Sequence, residues 1–292
     1  MVKLSGSVVC AFLVKKGWVF LLMVVGGAAI ADVSSAYNHR AIAISTSLTL
    51  PIGVKIWFNE CSGKVSGLTT WNLGEHFASL GIGHFLWHPV GSKKASLTSG
   101  FPDLVRHLRK QGAEVPQWLT SDSELLHCPW KTREEFYLEI NSPKMIELRD
   151  FLQRTIPLQA EYMIKKLPEI LPSLLASTPA SERATIYNRF YSLAVTPAGV
   201  YAMVDYLNFK GAGVYDSLDN YKNGSGLLQV LRGMSSAPKH YNELQAYVWS
   251  AKHALIRKVE RSSSNSQYEI WIKGWFKRID TYLGNDLELV AQ

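Results

Sequence analysis

A predominantly helical α+β fold is what this sequence predicts, and three observations carry the prediction. From residue 102 onward, apolar residues recur at helical spacing between recognisable caps and stops. Strand-like alternation is confined to one stretch, residues 61–87, where glycines and threonines interrupt it. No run alternates strands with helices as a doubly wound sheet would, and no internal repeat is present.

The N-terminus is set apart before the elements are read. Lys15 and Lys16 precede the apolar run Trp18 to Ala31, which ends in Ala29-Ile30-Ala31, a small-x-small cleavage pattern. Residues 1–31 are therefore expected to be a signal peptide, since the 14-residue run is short of the roughly 20 residues a spanning helix needs. An uncleaved anchor is the alternative, and it would be the chain's one contact with a membrane. A periplasmic or secreted location follows from either. Cleavage removes Lys3, Lys15 and Lys16 and no acid, taking the formal charge from +7 to +4. That mild positive charge suits a polyanion, and export favours a cell wall over nucleic acid. Cys61 and Cys128 then enter an oxidising compartment, where they either pair or stay buried and free.

Residues 32–47 are small and polar and read as a flexible lead-in; the body is expected as one domain over 48–292. Thr49, Leu50 and Pro51 start a helix with proline in its first turn, and Ile52, Ile56 and Asn59 continue the spacing to Glu60 at its end. The negative pole of that helix and an apolar wall at Trp57 are expected to raise the Glu60 carboxyl pKa, keeping it protonated as a general acid requires. Gly63, Gly67 and Gly74, with Thr69, Thr70 and Asn72, predict a small hairpin. Leu80, Ile82 and Phe85 alternate as a strand in which Gly81 and Gly83 admit a close approach. Residues 89–100 read as loop.

Helices are expected over 102–110, 132–139, 143–153, 181–195, 197–209, 227–234, 241–260 and 267–283. Thr132 with Glu135 forms a capping box; Ser142-Pro143 and Thr196-Pro197 are caps followed by a first-turn proline. Pro168 and Pro172 break residues 158–175 into two short helices or one kinked helix.

The chemistry gathers between Glu60 and His84, where Glu60, Glu75, Ser79 and His84 fall within 25 residues. Glycosidic cleavage needs a proton donor for the leaving oxygen and a second polar group that stabilises the sugar cation or activates water. Two acids flanking a Gly-rich turn meet that need. His76, His84 and His88 with Glu75 are metal-ligand types, but Pro89 adjoins His88 and the Gly-x-Gly before His84 is not helical. No metal and no cofactor is expected, and the absence of Gly-x-Ser-x-Gly argues against a serine nucleophile.

Ser79-Leu80-Gly81-Ile82-Gly83-His84, downstream of a helix-terminal glutamate, resembles the active-site region of phage-type lysozymes. Two later stretches extend the resemblance: Tyr201 to Gly211, similar to that family's central helix with its aromatic-Asn-x-Gly end, and Gly274 to Leu283 with Arg278, similar to its arginine-bearing closing helix. The resemblance implies a two-lobed lysozyme-like fold with a small β-hairpin beside the cleft and an extra helical insertion at about 89–194. It implies Glu60 as general acid, Ser79 as the site hydroxyl and His84 as a structural histidine. Glu75 corresponds to the second acid only approximately, because it falls nearer the strand. Asn208 is expected to offer its amide to an N-acetyl group or a water, Asp205 to orient Asn208 or pair with a base, and Trp71 and Trp87 to stack on sugar rings. The implied activity is cleavage of the β-1,4 bond between N-acetylmuramic acid and N-acetylglucosamine in peptidoglycan, by hydrolysis or lytic transglycosylation, as a monomer. Alternatives are a cell-wall-binding protein without catalysis and a related polysaccharide hydrolase such as a chitosanase.

Overall fold

The structure is a computed structural model and describes residues 37, 40–91, 100–121, 125, 127–214, 224–261, 265–284 and 287. The expected signal peptide (1–31), much of the lead-in, and parts of the expected loops at 89–100 and 210–226 lie outside the described residues.

The fold is predominantly helical with a small three-stranded antiparallel sheet. Helix α1, Thr46–Cys61, begins a turn earlier than Thr49. Ser45 caps it, its hydroxyl accepting from the Ser47 N–H at 3.3 Å, so Pro51 lies inside the helix and not in its first turn. Ser62 ends the helix in the left-handed region at φ 53°.

Strands β1 (Thr69–Thr70), β2 (Ala78–Leu80) and β3 (Phe85–Trp87) lie in that order, with Thr70 opposite Ser79 and Leu80 opposite Phe85. Gly81 to His84 is thus a turn between β2 and β3, which corrects the expectation of a continuous strand. Two residues bend the chain there, Gly81 at φ 71° and His84 at φ 49°. A helix from far along the sequence fixes the turn: the Ile82 N–H donates to Gln159 Oε1 at 2.9 Å. Gln159 is fully buried and held in turn by the Leu152 carbonyl and Thr155 Oγ1, at 2.6 and 3.1 Å.

A Cβ on Gly81 would stand 2.4 Å from Gln159 Oε1 on a backbone that side chains rarely adopt. Gly81→Ala is therefore expected to destabilise the protein by about 2 kcal/mol or more, the left-handed backbone alone costing about 1–2 kcal/mol. A lower urea midpoint at unchanged slope is the readout.

The remaining helices are α2 (Phe101–Lys110), α3 (Arg133–Leu138), α4 (Pro143–Arg154), α5 (Ile156–Lys166), α6 (Leu171–Ala176), α7 (Ala180–Ala194), α8 (Pro197–Lys210), α9 (Leu227–Gly233), α10 (Glu243–Glu260) and α11 (Asn265–Asp280). Thr132, Ser142 and Thr196 cap α3, α4 and α8 through their hydroxyls, as expected, but the box at Thr132 is not closed, since Glu135 Oε2 accepts from the Lys131 N–H at 2.8 Å. The prolines at 168 and 172 do separate two helices, with a 3-10 turn over Pro168–Ile170 between α5 and α6.

Helix α8 is buried around its whole circumference from Ala198 to Leu207, with Asp205 as the one charged residue of that stretch. Helix α1 crosses α5 at Gly53, where a Cβ would meet Ile156 Cγ2 at 2.8 Å. The segment 89–194 is therefore built into the core, because it supplies both this crossing and Gln159. The buried apolar side chains form one cluster running from Leu48 to Leu287. Among the described residues no helix is long and apolar enough to cross a membrane.

Candidate active site

Three distant parts of the chain meet at Glu60. Helix α1 delivers the carboxylate at its C-terminal end, the last turns of α8 deliver Asp205 and Asn208, and α11 delivers Arg278. Asn208 Nδ2 donates to Glu60 Oε1 at 2.8 Å, and Arg278 Nη2 donates to the same oxygen at 2.5 Å. The turn after β2 brings His84 Nδ1 to 3.6 Å from Glu60 Oε2, an ion-pair contact longer than a hydrogen bond.

Asp205, 0% exposed, anchors the arrangement from beneath. It takes a two-pronged contact from Arg278, Nε to Oδ2 and Nη2 to Oδ1, each 2.8 Å. The Tyr282 hydroxyl donates to Oδ2 at 2.5 Å and Asn59 Nδ2 to Oδ1 at 3.2 Å. Asn59 also donates to the Tyr201 hydroxyl at 2.8 Å. Every acceptor position of the buried carboxylate is thus occupied, which is the condition for holding a charge there. Arg278 is shared between Asp205 and Glu60, so the two acids are held by one base.

Burial pushes the Glu60 carboxyl up, but the charges of Arg278 and His84 and the hydrogen bonds from Arg278 and Asn208 outweigh it and hold the group below its ordinary value. The resting group is a carboxylate, which corrects the expectation of a raised pKa. The reason is a cation that local sequence does not reveal. Because the folded value lies below the unfolded one, the stability Glu60 contributes is fully present above about pH 4.5, the ordinary value, and is lost as pH falls through the folded value. Melting temperature is accordingly expected to drop on acidification below that point, and to drop less in Glu60→Gln, as calorimetry across pH 3 to 7 would show.

The other expected site residues lie elsewhere. Glu75 sits in the β1–β2 connection, at the opposite end of β2 from His84, with Asn72 Nδ2 donating to its Oε2 at 3.1 Å. Burial raises its carboxyl pKa against the Asn72 hydrogen bonds. No described contact joins it to Glu60. Ser79 is buried in the middle strand, between Thr70 and Leu86. Trp71 and Trp87, expected to stack on sugars, are 2% and 0% exposed. Their rings pack on Phe136 and Phe101, and their indole N–H groups donate to the Glu75 and Leu125 carbonyls. Neither offers a face to a ligand. Asn208 turns its amide N–H on Glu60, not outward, and Asp205 pairs with a base.

Sequence reasoning missed Asn59, Tyr201 and Tyr282. The available signals were the adjacency of Asn59 to Glu60 and the placing of Tyr282 one turn beyond Arg278. It also missed the aromatic side of the site, where Lys210 Nζ lies 3.8 Å from the ring centroids of both Phe209 and Trp275, and Arg278 Cζ lies 4.4 Å from that of Phe209. Cys61 and Cys128 are both free and buried. Among the described residues no group of three or more His, Cys, Asp or Glu side chains is placed to hold a metal ion.

Compared with protein-family models, with curated proteins and with solved structures, the chain matches none.

Proposed function

We propose that the protein cleaves the β-1,4 glycan strands of peptidoglycan with Glu60 as the proton-transferring group, on a lysozyme-like fold and outside the cytoplasm. The observation that carries the reading is the convergence at one carboxylate of the three stretches that resemble phage-type lysozymes: the helix-terminal Glu60 with the Gly-x-Gly-His turn, the Asn208 end of α8, and Arg278 of α11. These stretches lie up to 218 residues apart in sequence. Their meeting at Glu60 supports the idea that the resemblance is one of site as well as of motif.

The acid step runs through Glu60 Oε2, since Oε1 already accepts from Asn208 and Arg278. Glu60 protonates the leaving glycosidic oxygen, and the same carboxylate then takes a proton from the attacking group. With Glu75 at the far end of β2, a single-acid route is favoured, in which the attacking group is a sugar hydroxyl or a water positioned by polar neighbours. Mass analysis of soluble products from purified sacculi separates these routes. Anhydro ends are expected for intramolecular attack and reducing ends for water, and no soluble glycan would count against cleavage altogether.

A second reading is a wall-binding protein that does not catalyse. It draws on one observation, the hold of Arg278 on Glu60, which keeps the carboxylate ionised at rest. Binding to sacculi without release of soluble product would favour it.

A further inference from the structure

A general acid held as a carboxylate needs a source for its proton, and the side chains around His84 supply one. Cys61 Sγ lies 3.2 Å from the Gly67 carbonyl oxygen and 3.5 Å from His84 Nε2. A carbonyl oxygen only accepts, so the thiol's single proton is directed there, and His84 Nε2 must be the donor to sulfur. Burial, with the Glu60 charge, pushes the Cys61 thiol far up, so that proton stays in place. With Nε2 protonated, a neutral ring would present a bare Nδ1 to Glu60 Oε2, 3.6 Å away. Two acceptors facing each other are unfavourable, so one proton belongs between them: on Nδ1 opposite a carboxylate, or on Oε2 opposite a neutral ring.

We propose that His84 is a proton-holding positioning residue for Glu60, the two side chains sharing one proton that the imidazole returns to the carboxyl when a substrate oxygen draws on it. This inference rests on the reading of Glu60 as the site's proton-transferring group. When the glycosidic C–O bond breaks, its electron pair stays with the leaving oxygen, and the one shared proton passes from Nδ1 through Glu60 Oε2 to that oxygen, leaving a carboxylate and a neutral ring. The attacking hydroxyl or water then gives its proton back through Glu60 to Nδ1, and the pair is restored. Of the other groups around the pair, Arg278 and Asn208 bind Oε1 and leave Oε2 to the ring, while burial pushes the Lys210 ammonium well down against the Glu60 charge. His84 is 26% exposed on its side chain, enough to exchange its proton with solvent between turnovers.

The test is His84→Asn. Asparagine tolerates the left-handed backbone at φ 49° and cannot hold the proton. With carbon-labelled Glu and nitrogen-labelled His in the wild type, NMR is expected to show the Glu60 carboxyl and the His84 ring sharing a titration step, with Nε2 still protonated after it. His84→Asn should remove that step from the carboxyl. In cleavage assays the alkaline limb of kcat/KM should move to lower pH in the variant, with a loss on the order of 10²-fold at pH 7 that narrows in acid. Independent titrations of the two groups, or a neutral ring carrying its proton on Nδ1, would overturn the proposal. The NMR arm needs no substrate: shared titration without any cleavage would keep the proton pair and remove the functional reading, and cleavage with independent titrations would do the reverse.

Discussion

Glu60→Gln is expected to abolish glycan cleavage, lowering kcat/KM by about 10²–10⁴-fold, the range general acid–base catalysis supplies. Glutamine keeps the shape and an oxygen that can still accept from Asn208 and Arg278, but it carries no transferable proton. Arg278 would keep its two-pronged contact with Asp205, so the variant should fold, and its loss of activity should not track a loss of stability. Cleavage rate and melting temperature measured on the same preparation separate the two effects.

Arg278→Leu is the substitution expected to harm the fold most. It leaves the Asp205 carboxyl fully buried with only the Tyr282 hydroxyl and Asn59 to satisfy it, and it removes the cation that Glu60 faces. Breaking a buried pair from one side costs about 3–5 kcal/mol. Adding Asp205→Asn should return part of that loss, because the uncompensated charge goes with it, and the two changes should therefore be strongly non-additive in urea denaturation. The Glu60 carboxyl pKa is expected to rise in Arg278→Leu, since the largest influence holding it down is gone.

What the sequence made legible was local. The caps at Thr132, Ser142 and Thr196 were readable because a hydroxyl and an N–H three residues on settle them without help from the rest of the chain. The break between α5 and α6 was readable because proline lacks the N–H a continuing helix needs. The start of α1 was not, since Ser45 and Thr49 are both competent caps and nothing nearby chooses between them. The Gly81–His84 turn read as a strand because Leu80 and Ile82 alternate with glycines, and what holds the turn is Gln159, 77 residues from its partner Ile82.

The candidate site divides along the same line. Glu60, Asn208, Asp205 and His84 were legible as polar residues at element ends, and they do come together. Their roles were not legible, because each is set by a partner far away in sequence. Arg278 decides the charge state of Glu60 from 218 residues away, and Asn208 faces that carboxylate and not a ligand. Trp71 and Trp87 look alike to sequence whether they line a cleft or fill a core, and only the packing of α2 and α3 around them decides for the core.

The most direct test of the central claim is release of soluble product from dye-labelled sacculi by the wild type, Glu60→Gln and Glu75→Gln, each confirmed folded. Release by the wild type and Glu75→Gln but not by Glu60→Gln is the predicted result. Release by Glu60→Gln, or by none of the three, would contradict the assignment of Glu60 as the group that cleaves the glycan.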